Sequence, residues 1–539
     1  MRSIGRKAAI TAAMVLVLTG CNVTDADIEH WKHTQRGPGK ITTVLVEGRY
    51  EQSMRVHAAR ALIEMKHPNA NGLELLQGAF SRMAATEREP IIHALVPELQ
   101  SMLTPQGAAS AQGPTEQQIK AKDAAYVILR GEGRVSFAGV EDRTTLTNMV
   151  LDWVLGDFNS RALAGSYTAE QLVQAIGPSS VERLTAAVRL EQNAIPVVVE
   201  VAKLINGIAA PAGKQAAVAR IVTVAQEVEG PAGAARLSQI GEALLRQANR
   251  PTDAASVARA ADQLRGQYLT VLFEAIRTLG QPNGTEYLLS VAANATAPID
   301  RRKMALTAMA GTVTATHTQR LLAIATCGQV PAAADPAAHH GHDPAPPAAP
   351  ATPCDIDLRG LAVDRVGETR DRAVLPQLFG LFDTANGGAA DQGFMYRWKL
   401  GEAVIKLGGP TVIPEFMQHL GAPRAAPFAG FTFAEINGEA QAIGDLTPPP
   451  RAAMRGYLTP NNAVPVRVLA MMFLGVRGEQ QDVATLQTYA ADPAPVTGVG
   501  WDEPQLRLTT VGAVAQRTRT TLEQTLRQGQ GGAAGATAR

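Results

Sequence analysis

From Gln52 to Met65 the chain reads QSMRVHAARALIEM. Met54, Ala58, Ala61, Leu62 and Met65 fall on one side of a helix, at the i, i+3, i+4, i+7 spacing of an amphipathic segment. TNMVLDWVLGDF (147–158) and LTVLFEAIRTLG (269–280) carry the same period, and strand-type alternation never runs beyond a few residues. The pattern predicts helices separated by short breaks. Helix starts are marked as well. Thr168-Ala169-Glu170-Gln171 and Ser179-Ser180-Val181-Glu182 each match a capping box, in which the hydroxyl and the Glu or Gln satisfy free backbone N–H groups.

The helical pattern itself repeats. One form is Arg, a small or apolar residue three later, and an apolar residue four further on. It occurs as Arg55-Ala58-Leu62, Arg302-Ala305-Met309, Arg359-Ala362-Val366, Arg397-Leu400-Val404 and Arg467-Ala470-Leu474. The other form is an apolar residue, Pro, any residue, then an apolar residue: Val96-Pro97-Glu98-Leu99, Ile195-Pro196-Val197-Val198, Leu375-Pro376-Gln377-Leu378 and Ile413-Pro414-Glu415-Phe416. In RDRAVLPQLFGLF and GGPTVIPEFMQHL the second form follows the first after a short turn, so each unit holds two helices. In the first helix, Ala and the apolar residues pack against neighbours, and the arginine is placed to span to the adjacent unit. In the second, proline belongs in the first turn, where its missing N–H costs little. A single pair is too small to bury its own apolar face, so successive pairs must stack.

This pattern resembles HEAT repeats, particularly the short bacterial type also seen in phycocyanobilin-lyase-like proteins. The resemblance is clearest at 28–103, 298–420 and 462–527. It implies an all-α fold, an α-solenoid of stacked antiparallel helix pairs with irregular loop insertions. It carries no catalytic role, because the shared part is the helical pair and not an active-site motif. On this basis the chain divides into a leader at 1–20, HEAT-like repeats at 21–103, a polar spacer at 104–117 and a helical middle region at 118–297, either degenerate repeats or an inserted domain. A repeat at 298–326, a Pro/Ala/His-rich loop at 327–354 and repeats at 355–420 follow. An irregular loop at 421–465, helices at 466–527 and a disordered tail at 528–539 complete the expectation.

The N-terminus changes the picture. Arg2, Arg6 and Lys7 precede AAITAAMVLVLTG, the length of a signal-peptide core and short of the roughly 20 residues that span a bilayer. Leu18-Thr19-Gly20-Cys21 resembles the lipobox of bacterial lipoproteins. That resemblance implies cleavage before Cys21, acylation of its thiol and a lipid-anchored protein facing the periplasm. Asn22 in place of Asp favours the outer membrane over the inner. Beyond the leader no apolar run is long enough to span a membrane, and the net charge of +1 gives no pull towards nucleic acid. The two later cysteines, Cys327 and Cys354, suit a disulfide in an oxidising compartment, worth on the order of 3 kcal/mol through loop closure.

Candidate chemistry is sparse. His339, His340, His342 and Asp343 form the metal-ligand cluster HHGHD, set in a Pro/Ala linker that offers no fixed geometry. Phe428, Phe431 and Phe433 crowd six residues of a chain with 4% aromatics, as a packed lid or as an exposed hot spot for a partner. The other histidines are scattered, and there is no HExxH, GxSxG or P-loop motif. The reading is a non-catalytic, lipid-anchored envelope scaffold for an unidentified protein partner, with no cofactor. The alternative is an envelope enzyme or metal-handling protein whose site is dispersed over non-adjacent helices. A pocket grouping His with Asp or Glu from different repeats would favour that alternative.

Overall fold

The computed structural model describes residues 23–104, 114–133, 135–156, 164–190, 195–328, 355–385, 393–423 and 430–536. Among them all regular structure is helical, and β pairing is confined to three isolated bridges. The chain forms two compact units, Met1–Leu279 and Gly280–Arg539.

The first unit holds α1 (Asp25–Trp31), α2 (Gly37–Val46), α3 (Gln52–Glu64), α4 (Gly72–Arg82), α5 (Ala85–Leu103), α6 (Glu116–Arg130), α7 (Val140–Gly156), α8 (Ala169–Ile176), α9 (Val181–Ala186), α10 (Ile195–Ile208), α11 (Pro211–Glu229), α12 (Pro231–Gln247) and α13 (Ala254–Leu279). Up to α7 the odd-numbered helices stack, α1 on α3, α3 on α5 and α5 on α7. From α10 the plan changes, because α10, α11 and α12 all pack around the long α13. That shared core explains why the middle of the chain matches the repeat pattern poorly.

The second unit holds α14 (Pro282–Ala293), α15 (Ile299–Ala308), α16 (Thr318–Ala325), α17 (Ile356–Glu368), α18 (Leu375–Thr384), α19 (Gly393–Gly408), α20 (Ile413–Gly421), α21 (Phe433–Gly444), α22 (Arg451–Gly456), α23 (Val464–Arg477), α24 (Gln480–Thr488) and α25 (Val511–Ala536). Here α15, α17, α19, α21, α23 and α25 form one row, each helix packed on the one two places along. The remaining helices lie against that row, α16 on α17, α18 on α19, α22 on α23 and α24 on α25. This is an all-α solenoid of stacked antiparallel helix pairs.

The repeat arginines do a common job. Nε of Arg55 donates to the Leu45 carbonyl at 2.9 Å, Arg302 to Ala292 at 2.8 Å, Arg359 to Ala325 at 2.9 Å and Arg397 to Phe382 at 3.0 Å. Each acceptor closes the helix of the preceding pair, where unpaired carbonyls and the negative end of the helix dipole attract a cation. Arg467 departs from the pattern and ion-pairs with Asp492, further along the chain. Pro376 and Pro414 sit at the second position of α18 and α20, after short 3₁₀ turns. Pro97 instead lies deep in α5, which runs through Pro90 and Pro97 while burying Ile91, Ile92, Leu95, Val96 and Leu99. Packing of that face against α3, α6 and α7 outweighs the lost backbone bonds.

Several sequence expectations need correction. Residues 421–465 are not an irregular loop throughout, since α21 and α22 lie inside them. The tail beyond Arg527 continues as helix to Ala536. Once the first half of α25 is anchored, each further residue adds a hydrogen bond without a new nucleation cost. Thr168 and Gln171 do form a capping box. Ser179 and Ser180 do not: their hydroxyls donate back to the Ile176 and Gly177 carbonyls, in a 3₁₀ turn that leads straight into α9.

Candidate functional site

A buried polar group lies where α21 packs on α19. Thr432 caps α21, its hydroxyl accepting from the Glu435 N–H at 3.1 Å, and Glu435 answers on the Thr432 N–H at 3.4 Å. The Glu435 carboxylate also ion-pairs with Arg397 from α19, and both side chains are buried. The Arg397 guanidinium lies over the Phe382 ring, 3.7 Å from its centroid. One turn on, Glu439 is 0% exposed and neither carboxyl oxygen has a hydrogen-bond partner. Burial, followed by the nearby Glu435 carboxylate, holds its pKa well above the ordinary glutamate value, against the pull of Arg397. Burial also raises Glu435, and Arg397 offsets part of that rise.

Glycine makes this approach possible. A Cβ on Gly401 would lie 2.5 Å from Glu439 Oε1, and one on Gly438 would collide with the Trp398 indole. That indole donates to Glu402 at 3.0 Å on the half-buried side of α19. The start of α21 is covered by a second layer. The Phe431 and Phe433 N–H groups donate to the Thr497 and Val499 carbonyls, and Trp501 Nε1 donates to the Phe431 carbonyl at 2.7 Å. Both phenylalanine rings meet Trp501 edge-on, with centroids 5.5 and 5.2 Å away. Phe431 is buried and Phe433 half-buried, so they form a packed lid rather than an open contact surface for a partner. Phe428 lies outside the described residues.

In the first unit a cleft of about 390 Å³ opens between α5 and α7. Leu103, Met149 and Trp153 floor it, with Gln100, Asn148 and Asp152 exposed around them. Arg183 donates to Asn148 at 3.2 Å and ion-pairs with Asp152, so these polar groups already have partners. Behind Trp153, Lys122 is fully buried. It donates to the Ala164 and Tyr167 carbonyls at 2.5 and 2.6 Å and pairs with Asp123 at 2.6 Å. Burial lowers the pKa of its ammonium, partly countered by Asp123. With its protons engaged in this way, Lys122 pins the stretch before α8.

The remaining sequence candidates fare unequally. Cys21, Cys354, His339, His340, His342 and Asp343 lie outside the described residues. Cys327 follows α16 in left-handed backbone, at φ 59°. Just before it, the Ala325 carbonyl accepts from both Arg359 Nε and the Tyr396 hydroxyl, each at 2.9 Å. Histidine–carboxylate contacts between helices, invisible to motif reading, do occur. His57 meets Glu29 at 3.0 Å, His93 meets Asp142 at 2.9 Å, His317 meets Glu286 at 3.1 Å and His419 meets Asp383 at 2.8 Å. Their partners are 28 to 49 residues away in sequence, so no local spacing could have shown them. None of these histidines lines the α5–α7 cleft. Among the described residues no group of three or more His, Cys, Asp or Glu is placed to hold a metal ion, and no helix is long and apolar enough to cross a membrane.

No protein-family model matches the chain, and no curated protein matches its sequence. Among solved structures it is similar to an engineered protein over 90% of this chain and 98% of that one, at 13% identity and a TM-score of 0.19. It is also similar to importin beta, crystallised in an ammonium sulfate condition, over 84% of this chain and 59% of that one, at 13% identity and a TM-score of 0.25. These superpositions are loose, and the architecture rests on the helix packing described above.

Proposed function

We propose that this chain is a non-catalytic protein-binding scaffold, held at the bacterial cell envelope by lipid on Cys21 and facing the periplasm, with the outer membrane as its favoured site. The row of helices from α15 to α25 carries the scaffold reading. Each helix buries its apolar face on its neighbours, and the exposed surface is built from many short, similar segments. Such a surface binds by the sum of modest contacts along its length. The polar clusters support this reading, because they are internal to the packing or already paired. The lipid anchor rests on the Leu18–Cys21 resemblance. The three acyl chains of a mature bacterial lipoprotein would hold the chain stably, where one would not.

A disulfide between Cys327 and Cys354 belongs to the same reading. Arg359 of α17 reaches the Ala325 carbonyl, so the helices that flank the segment between the two cysteines meet at its base. The test is affinity isolation of the full protein from its native envelope, with Cys21→Ala in parallel. A stoichiometric partner set that is lost or relocated in the variant supports an anchored scaffold. A purified protein that retains a metal ion or small molecule and brings no partner overturns it in favour of a dispersed site.

A further inference from the structure

Glu439 occupies a core position of a helix whose other buried side chains include Ile436, Ala440 and Ile443. Nothing in the packing of an interior needs a carboxyl group there. A buried carboxyl without a partner is tolerated as the neutral acid and strongly disfavoured as the anion. Of the charged groups around it, the Glu435 and Glu402 carboxylates disfavour the anion and Arg397 favours it. Its own helix presents Glu435, one turn back on the same side. From α19 come Arg397, already committed to Glu435, and Glu402, which accepts from the Trp398 indole and from Lys399. α23, which also packs on α21, carries Arg467, ion-paired with Asp492, and Arg477, held by the Gly444 carbonyl and Asp445. The 497–501 segment paired to the start of α21 brings no charge. One guanidinium therefore faces two buried carboxyl groups.

We propose that the α19–α21 junction is a proton-operated latch: Glu439 keeps α21 seated on α19 while its carboxyl carries a proton, and loss of that proton loosens the junction. The same contact holds the Phe431–Phe433–Trp501 lid in place, so the latch and the lid release together. The direction follows from linkage. The folded chain holds this proton more tightly than the unfolded chain, so the group's contribution is complete below about the ordinary glutamate value of 4.5. It fades as pH rises above that value towards the raised folded-state value.

The experiment compares the full chain with Glu439→Gln between about pH 5 and pH 9, by thermal unfolding and by hydrogen exchange of α21. The expected result is a gap that widens with pH. The variant's unfolding midpoint gains roughly 3 °C or more on wild type across the window. Exchange of α21 in wild type becomes about tenfold faster than in the variant at the alkaline end. A gap that is constant with pH overturns the latch, whatever its sign. Should Glu439→Gln fail to fold, wild type alone decides, by the protection of α21 relative to α17, whose buried residues are Leu358, Gly360, Ala362, Val363, Val366 and Gly367. A ratio that falls with pH supports the latch, and a flat ratio overturns it.

Discussion

The two junctions made by α19 start from the same device and end in different chemistry. Towards α17, Arg359 closes the preceding helix through the Ala325 carbonyl and stacks on Tyr396, 3.8 Å from its ring centroid. The buried part of that contact is aliphatic, with Ala362, Val363, Val366, Leu400 and Val404, and an inter-helix ion pair, Lys399 with Asp364 at 3.3 Å, stays partly exposed at the edge. Towards α21, Arg397 closes its preceding helix through Phe382 in the same way, but its guanidinium is buried and paired with Glu435, and the unpartnered Glu439 lies beside that pair. The repeat arginine is therefore a generic clamp. What is added beside it decides whether a junction is a plain apolar seam or one that responds to charge.

The contrast can be broken most easily at Arg397. Replacing it by Ala strands Glu435 and Glu439 in the core and should cost about 3–5 kcal/mol in denaturant or thermal unfolding. Gly438→Ala should follow, at roughly 1–3 kcal/mol, because the new methyl meets the Trp398 indole. Arg359→Ala should cost only about 1–2 kcal/mol, the worth of one hydrogen bond to a charged donor and its ring contact. Equal losses for Arg359→Ala and Arg397→Ala would remove the distinction. The smallest effect sharpens it. Combining Arg397→Met, Glu435→Leu and Glu439→Leu removes the whole ionic group, and stability should stay within about 1 kcal/mol of wild type or rise. A large loss in that variant would mean that the ionic group carries net stability.

Where apolar residues and arginine fall at repeat spacing, the structure could be read directly from the chain. The helix expected at Gln52–Met65 spans Gln52–Glu64. The paired forms around Arg359 and Pro376 became α17 and α18, joined by one tight turn. Of the two helices inside the expected loop at 421–465, α21 shows why the pattern has limits. Two of its core positions hold Glu435 and Glu439, and Gly438 and Gly444 lower its helix propensity, so neither period nor propensity marked it. Only Thr432 and Glu435, three residues apart, carried a usable start signal. The same carboxylates that hid the helix make its junction unusual. Local rules fail where a side chain is kept for something other than packing. The α10–α13 cluster escaped for another reason, since four helices sharing one core need no repeated register. The histidine–carboxylate contacts are products of stacking and have no counterpart in a single stretch of sequence.

The proposed function turns on Cys21, because a lipid anchor there would decide which compartment and which partners the helical stack meets. The most direct measurement is the intact mass and N-terminal sequence of the protein extracted from the membrane of its host. The account predicts a chain that begins at Cys21, carries acyl mass on that residue, and is found unacylated and away from the membrane when Cys21 is replaced by Ala. A chain that keeps residues 1–20, is cut elsewhere, or begins at Cys21 without lipid would contradict it.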